Sequence, residues 1–153
     1  IHRFNEVFSP YAGQFQDANI RWPTALKIAS LIEREAAGTA DMPIISGIIW
    51  NRLDKNMLLQ IDATLQYTHG KNTDGSWWGA IDLSEKQNDS PYNSYKVKGL
   101  PPTPICSPGI ASIKAVLHPE ETDCLFYLHD HDGQIHCSVT YEEHKANIEK
   151  YLQ

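Results

Sequence analysis

Apolar residues recur at helical spacing in two neighbouring segments of the chain. The first segment runs from about Trp22 to Ala37, with Pro23 at a tolerated early position and Gly38 as its stop signal. The second begins at Asp41-Met42-Pro43 and carries one aliphatic stripe, formed by Ile44, Ile45, Ile48, Ile49 and Leu53. The two patterns predict two helices that pack together as an antiparallel pair.

The last third of the chain predicts a helix, two strands and a final helix. The first of these helices begins at 107–109 and extends through Leu117, and the strands, 124–129 and 134–138, flank a turn at 130–133. A capping box at 140–143 opens the final helix, whose inner face is expected to carry Tyr141, His144, Ile148 and Leu152. Helices at both ends of the chain, packed around a small antiparallel sheet, indicate an α+β fold.

Two regions lack such a pattern. Residues 1–21 are aperiodic and predict an irregular entry segment, which leaves 22–153 as the domain. From Leu58 to Pro108, Gly, Pro, Asn, Asp and Ser are frequent, and only short elements are expected, such as one helical turn near 63–67. A stretch of this length without regular structure is more often functional than idle, so we expect this long loop region to form a cleft.

Composition narrows the class of protein. The chain has 153 residues, 41% of them apolar, which suffices for one domain with a core, and it has no run of about 18 apolar residues that would span a membrane. A net charge of −6 and the lack of a basic stripe argue against nucleic acid as a partner. The three cysteines, Cys106, Cys124 and Cys137, show no CxxC spacing and are expected to be buried small apolar side chains.

Three histidines near the predicted turn, His129, His131 and His136, suggest a metal site at first sight. The Asp-Gly signature between them indicates a turn, and no helical pair of the HExxH kind accompanies them. We therefore expect no metal at this place.

Two carboxylates near the end of the first predicted helix lie two residues apart and so cannot share a face. Glu35 follows Leu31 and Ile32 at offsets that place it on the apolar side, whereas Glu33 lies nearer the edge. Burial among aliphatic side chains raises the pKa of a carboxyl, which suits a general acid that works near neutral pH. Glu35 is therefore the candidate catalytic residue. The structural alternative is a side chain at the rim that reaches water or pairs with an arginine.

A further carboxylate follows the second predicted helix. If the chain is extended there, Gln60 and Asp62 share one side. Asp62 could then be the partner carboxylate that glycosidases use as nucleophile or base. The alternative is that Asp62 caps a helix that begins at Ala63.

Aromatic and amide side chains are interspersed in the loop region, a mixture typical of sugar-binding sites. Tyr92, Asn93 and Tyr95 lie together in the stretch SPYNSY, and Trp77-Trp78 lies upstream of it. For the tryptophan pair, the alternative is that it anchors the long loop onto the body of the protein.

Taken in order, these motifs resemble the YceG-like family, the endolytic murein transglycosylases also called MltG. The resemblance runs from about Leu26 to Tyr151 and rests on collinear blocks: ASLIERE at 29–35, NRL at 51–53, LQIDAT at 59–64, SPYNSY at 90–95, GLPPTPI at 99–105, PG at 108–109, AS at 111–112, HP at 118–119 and EH at 143–144. The resemblance implies a lytic transglycosylase that cleaves within peptidoglycan glycan strands without a metal or cofactor. It places Glu35 at the family's catalytic glutamate. The expected substrate-binding residues are Asn51, Gln60, Asp62, Tyr92, Asn93 and Tyr95.

The resemblance also implies a location and partners. Members of the family carry an N-terminal transmembrane helix and a small LysM-like segment, both expected upstream of Ile1. This chain is then expected to be the catalytic domain, on the outer, periplasmic face of the bacterial inner membrane. Peptidoglycan is the expected partner, and cell-wall synthesis enzymes are further candidates.

Three positions depart from the family pattern. Ala63 stands where the family usually has a proline, and Thr103 stands where it has a glycine. Ile135 occupies the place where the family commonly has a histidine, and His136 is one place off and would face the other way. No role is therefore transferred to His136.

Two other functions remain open from the sequence. A true muramidase would use Glu35 as the acid and Asp62 as nucleophile or base. A peptidoglycan-binding module would bind the same polymer with little turnover.

Overall fold

A computed structural model describes residues 2–153, apart from the side chains of 2–5 and 7. This part of the chain forms, in order, α1 (His2–Asp17), α2 (Trp22–Glu35), α3 (Met42–Asp54), α4 (Asp62–His69), a 3₁₀ helix (Leu83–Gln87), α5 (Ile110–Leu117), β1 (Phe126–His129), β2 (Ile135–Ser138) and α6 (Tyr141–Tyr151). The helices pack around a small antiparallel sheet, so the predicted α+β class is confirmed.

Helices α2, α3 and α5 contact one another and form the centre of the core. The aliphatic side chains that the sequence pattern turned inward are buried, among them Ile28, Leu31, Ile32, Ile45, Ile48 and Ile49. Each such side chain contributes about 1.5–3 kcal/mol when it leaves water. Gly47 lets α3 approach the segment after α5 closely, because a Cβ at this position would collide with the backbone oxygen of Glu120. The predicted packing of the first two helices on each other is confirmed.

The prediction of irregular structure for residues 1–21 is wrong, because α1 is a helix that belongs to the packed body. Phe8 and Phe15 are buried, and their ring centroids lie 5.4 Å apart. The helix contacts both α2 and α5. Pro10 lies inside it, and a proline within a helix removes a backbone donor and disguises the helical pattern in the sequence.

The two strands pair with Phe126 opposite Ser138 and His129 opposite Ile135. A turn joins them as predicted, since the backbone N–H of Asp130 donates to the oxygen of Gln134 at 2.9 Å. The pairing of the strands also brings together two cysteines, Cys124 just before β1 and Cys137 in β2.

Cys124 and Cys137 form a disulfide, so the prediction of three unpaired, apolar cysteines is wrong for these two. Their sequence separation of 13 matches no local motif, and they meet because the pairing of β1 with β2 brings the segment before β1 next to Cys137. Cys106 is free. The bond closes the loop that carries β1 and the turn.

The capping box of α6 is confirmed: Thr140 Oγ1 accepts from the N–H of Glu143, whose carboxylate accepts from the N–H of Thr140. The face of α6 that was predicted to be buried is only partly buried. Helix α6 contacts both strands, but its apolar side chains stay substantially exposed, at 55% for Tyr141, 37% for Ile148 and 40% for Leu152.

The long segment between α3 and α5 is held by side-chain contacts rather than by regular structure. Helix α4 is eight residues long, which is more than the single turn predicted. The Gln66 amide donates to the oxygens of Trp78 and Gly79, at 3.2 and 2.8 Å, and the Arg34 guanidinium lies 4.0 Å from the Trp78 ring centre. These contacts support an anchoring role for Trp78, whereas Trp77 is 46% exposed. Across residues 2–153, no helix has the length and apolar character needed to cross a membrane.

Candidate active site

A cleft of about 460 Å³ lies where the end of α2, the start of α4, β1 and α6 meet. Four of the predicted site residues line it: Glu35, Gln60, Asp62 and Tyr95. A cavity of about 540 Å³ beside α1 is lined mainly by apolar side chains and has no carboxylate in its wall. The cleft is the candidate active site because it brings the predicted catalytic residue Glu35 together with Asp62.

Glu35 is the last residue of α2, and its side chain is directed into the cleft. The phenol of Tyr127 donates to Glu35 Oε2 at 2.5 Å. Burial raises the pKa of the Glu35 carboxyl, and the negative charge of Asp62 raises it further, while the Tyr127 phenol and the backbone N–H of Ala63 act in the opposite direction. Burial dominates, so the protonated form persists to a higher pH than for a carboxyl in water.

Asp62 opens α4 but does not cap it. Ile61 occupies the N-cap position and makes no side-chain cap, while the Asp62 carboxylate accepts a hydrogen bond from the Tyr95 phenol at 2.5 Å. The pKa of Tyr95 is raised, first by burial and then by this bond to Asp62, which keeps the phenol a donor. The capping interpretation of Asp62 is therefore wrong.

Ser94 holds in place the segment from Gln60 to Thr64, which carries Asp62. Its backbone oxygen accepts from the N–H of Gln60 at 3.0 Å, and its hydroxyl accepts from the N–H of Ile61 at 2.8 Å and lies 2.9 Å from Thr64 Oγ1. Gln60 has φ +53°, in the left-handed region that is uncommon for residues other than glycine. Gln60 and Asp62 thus share the cleft as predicted, but through this sharp backbone turn rather than an extended segment.

Arg52 holds the floor of the cleft together. Its Nε donates to the oxygen of Leu125 at 2.6 Å, and its Nη1 donates to the oxygens of Leu59 and Leu58 at 2.5 and 3.2 Å. The guanidinium thereby joins α3 to the residue preceding β1 and to the loop that leads to Asp62. Burial lowers the pKa of Arg52, but an arginine stays charged in a protein, so a positive charge lies beneath the cleft.

Three predicted binding residues lie outside the lining of the cleft. The Asn51 amide donates to the oxygens of Thr122 and Cys124 at 2.6 and 3.1 Å, and it supports the segment before β1. The Tyr92 hydroxyl lies 2.8 Å from Thr103 Oγ1, so the threonine that departs from the family pattern has a partner.

Asn93 is fully buried, and it shapes the cleft from behind. Its amide donates to the oxygens of Lys86 and Asn88 at 3.1 and 2.6 Å, and its Oδ1 accepts from the N–H of Tyr95 at 2.9 Å. Two cleft residues, Lys86 and Tyr95, thus depend on this one amide for their positions.

The other lining residues were missed by the sequence reasoning: Arg52, Leu59, Lys86, Phe126, Tyr127, Tyr141 and His144. Strand alternation could not have indicated Tyr127, because its neighbour Phe126, on the opposite face of β1, lines the cleft as well. His129 Nε2 lies 3.1 Å from Asp41 Oδ2. Arg52 and His144 were inside the quoted motifs, but nothing local assigned them a role.

The histidines of the hairpin are each engaged by one carboxylate or exposed. His136 Nε2 lies 2.7 Å from Asp130 Oδ2, and His131 is exposed. Among the side chains that the structure describes, no group of three or more His, Cys, Asp or Glu could hold a metal ion.

Comparisons with known proteins identify relatives of this chain. The model of the YceG-like family matches residues 1–150. An endolytic murein transglycosylase of Bacillus subtilis (strain 168) is 37% identical over 152 residues, which cover 99% of this chain and 41% of that protein. One from Streptococcus pneumoniae serotype 2 (strain D39 / NCTC 7466) is 32% identical over 145 residues, which cover 94% of this chain and 26% of that protein.

The fold also matches a solved structure. The crystal structure of a YceG-like protein from Listeria monocytogenes superposes with a TM-score of 0.83 at 34% identity, over 91% of this chain and 44% of that one. The chain therefore spans about two fifths or less of the length of these curated relatives.

Proposed function

This chain belongs to the YceG-like family, and from that premise we propose that it contains the catalytic domain of an endolytic murein transglycosylase. The substrate is the glycan strand of peptidoglycan, cleaved internally at the β-1,4 bond between MurNAc and GlcNAc. The observation that carries the proposal is Glu35, whose carboxyl lies in a cleft, has a pKa raised by burial and receives a hydrogen bond from Tyr127.

One carboxyl suffices for this reaction. Protonated Glu35 gives its proton to the glycosidic oxygen, which leaves with GlcNAc as a hydroxyl while C1 of MurNAc becomes oxocarbenium-like. The Glu35 carboxylate then takes the proton of the C6 hydroxyl as O6 bonds to C1. The products are a 1,6-anhydro-MurNAc end and a regenerated acid, with no water consumed and no metal or cofactor required. Tyr127 supports the second half, because its phenol stabilises the carboxylate between the two proton transfers.

The neighbouring groups are suited to binding the strand and stabilising the positive charge. Asp62 contributes a negative charge close to Glu35, and Tyr95 holds its carboxylate in place. Gln60 offers an amide on the same side of the cleft. We assign substrate contact to these three residues, and an indirect, supporting role to Asn93, Asn51 and Tyr92.

A hydrolytic muramidase is the second candidate, and one observation favours it. Glu35 and Asp62 are two carboxylates in one cleft, and glycosidases use such a pair as an acid with a nucleophile or base. In that reaction Asp62 activates water or attacks C1, and the product is a reducing end.

Product analysis separates these candidates. Peptidoglycan is digested with this protein, and the glycan fragments are identified by mass spectrometry. Internal cuts that leave ends one water lighter than a reducing sugar are expected. Reducing ends would replace the proposal with the muramidase. Binding without any cleavage would replace it with a peptidoglycan-binding module.

We further propose that the full-length protein acts on the outer, periplasmic face of the bacterial inner membrane, through an anchor outside this chain. Cell-wall synthesis enzymes are the proposed protein partners, since they make the peptidoglycan that such a lyase cuts. Fractionation of cells that produce the full-length protein tests the location: recovery in the membrane fraction is expected, and recovery in the cytosol would contradict it.

A further inference from the structure

One wall of the cleft is built from three rings, Phe126, Tyr141 and His144, which we call the aromatic wall. The ring centroids of Phe126 and His144 lie 5.5 Å apart, and those of Phe126 and Tyr141 lie 5.8 Å apart. All three residues line the cleft that also contains Glu35. The mechanism given above uses none of them.

The wall is held rigidly from behind. The Arg52 guanidinium lies 5.1 Å from the Phe126 ring centre, and this arginine is itself fixed by its bonds to the oxygens of Leu125 and Leu59. Tyr141 and His144 follow the capped start of α6, where Thr140 and Glu143 close the capping box. A surface with fixed backbone and few free torsions loses little entropy when a ligand binds.

The front of the wall stays open. Tyr141 is 55% exposed, and outside the wall its ring contacts the Lys145 ammonium, 5.2 Å from the ring centre. His144 Nδ1 is buried and has no hydrogen-bond partner among the described residues. A partly exposed aromatic ring in the wall of a cleft is a feature found at ligand sites.

The chemistry of the wall favours a neutral ligand with an apolar face. The Arg52 guanidinium behind Phe126 is already engaged by carbonyl oxygens. Burial and the nearby Arg52 charge lower the pKa of His144, which leaves a neutral imidazole with one donor and one acceptor. A pyranose ring meets both conditions, because it has an apolar face for an aromatic ring and uncharged hydroxyl and acetamido groups.

We propose that the aromatic wall is a binding subsite for one N-acetylated sugar ring of the glycan strand, next to the bond that is cleaved. This inference rests on the proposed function, since it assigns part of the same substrate to the same cleft. Tyr141 packs against the face of the sugar, and His144 hydrogen-bonds its hydroxyl or acetamido group. The wall thus recognises the sugar, whereas Glu35 performs the proton transfers.

The first test measures the kinetics of Tyr141→Ala with two substrates, glycan strands stripped of their peptides and strands that keep them. We expect KM to rise about fivefold on both substrates, as the loss of one ring contact implies, with kcat changed by less than that. Tyr141→Phe retains the ring and should behave like the unmodified protein. The matched control is Tyr151→Ala, at the other end of α6, where the ring stacks on His136 outside the cleft.

The second test measures binding directly, without cleavage. Peptide-free glycan strands are titrated into Glu35→Gln protein, with and without Tyr141→Ala or His144→Ala, and with Tyr151→Ala as the control. Weaker binding in the two wall variants alone supports the subsite. Circular dichroism and melting curves confirm that each variant is folded.

The outcomes distinguish this inference from the proposed function. Unchanged KM and binding in Tyr141→Ala would overturn the subsite, even if the unmodified protein makes anhydro ends. A defect restricted to peptide-bearing strands would overturn it in favour of a stem-peptide contact. If the unmodified protein makes no anhydro ends, the proposed function fails, and the binding titration still decides whether the wall holds a sugar.

Discussion

Two carboxylates in the last turn of α2 face two different regions of the molecule. Glu33 faces the start of α5, where it accepts hydrogen bonds from the N–H of Gly109 at 3.0 Å and from Ser112 Oγ at 2.8 Å. Glu35 faces the cleft, where it accepts from the phenol of Tyr127 and lies near the negative charge of Asp62. The residues are chemically identical and two positions apart.

The surroundings of each carboxylate determine whether it holds two helices together or is suited to proton transfer. Glu33 meets donors at the beginning of a helix, where unpaired N–H groups and the helix dipole stabilise a carboxylate, so it joins α2 to α5. Glu35 is desolvated beside a second carboxylate, which raises its pKa and suits proton donation. The experiments that follow exchange or remove the features that distinguish the two regions.

Replacing each glutamate by glutamine gives the largest expected difference. Glu35→Gln should lower kcat by about 10²–10⁴-fold, the range that general acid–base catalysis supplies, because glutamine cannot donate the proton. Glu33→Gln should keep kcat near that of the unmodified protein. Release of glycan fragments from peptidoglycan measures both. Retained cleavage by folded Glu35→Gln protein would sink the assignment of Glu35.

The disulfide stabilises the region that Glu35 faces, since it closes the hairpin that carries Tyr127. Its cysteines are 13 positions apart, and a loop of about this size contributes roughly 3 kcal/mol in the chain-entropy model. Cys124→Ser with Cys137→Ser should therefore lower the melting temperature by about 6–12 °C. Cys106→Ser is the matched control. Equal melting temperatures with and without a reductant, for the unmodified protein, would contradict a stabilising role.

Replacing Glu33 tests the contact between α2 and the start of α5. Glu33→Ala deletes two hydrogen bonds between α2 and α5 and should lower the free energy of unfolding by about 1–2 kcal/mol, with kcat per folded molecule unchanged. Ser112→Ala deletes one of the two bonds and should cost about 1 kcal/mol. Urea denaturation measures both. A loss of kcat in Glu33→Ala that matches the loss in Glu35→Gln would abolish the distinction between the regions.

Much of this contrast could be predicted from the sequence. Helical periodicity placed Glu35 on the apolar side and Glu33 nearer the edge, because the neighbours that decide this, Leu31 and Ile32, lie within one turn. The helix boundaries near Trp22 and Met42 and the capping box at Thr140 followed from equally local signals.

The remainder depended on contacts between distant parts of the chain. Tyr127 meets Glu35 across 92 positions, and Cys124, just before β1, meets Cys137 only once the two strands pair. No local pattern encodes either meeting. Helix α1 was missed for a different reason, because Pro10 interrupts the pattern that its buried phenylalanines otherwise make.

Removing the Tyr127 hydroxyl tests how the pKa of Glu35 is set, with a smaller expected effect on kcat than Glu35→Gln. The phenol stabilises the carboxylate and so opposes the effect of burial on the pKa of Glu35. Tyr127→Phe should raise that pKa further and lower kcat about tenfold, as one charge-assisted hydrogen bond implies. Because the proposed mechanism requires protonated Glu35, the alkaline limb of kcat/KM should move to higher pH. A limb that moves to lower pH would contradict this account.

The pH dependence of folding stability provides an independent test of the raised pKa of Glu35. Glu35 has a pKa raised in the folded protein above its usual 4.5, so the stability that its protonated form provides is present below about pH 4.5 and lost as pH rises through the raised value. Glu35→Gln should thus gain stability relative to the unmodified protein at alkaline pH, and the gain should shrink toward pH 4.5. Tyr127→Phe should lose stability over that same rise in pH, because its Glu35 carboxylate lacks the phenol. Melting curves for Glu35→Gln, Tyr127→Phe and the doubly substituted protein measure this. If the doubly substituted protein keeps the pH dependence of Tyr127→Phe alone, the dependence does not come from Glu35.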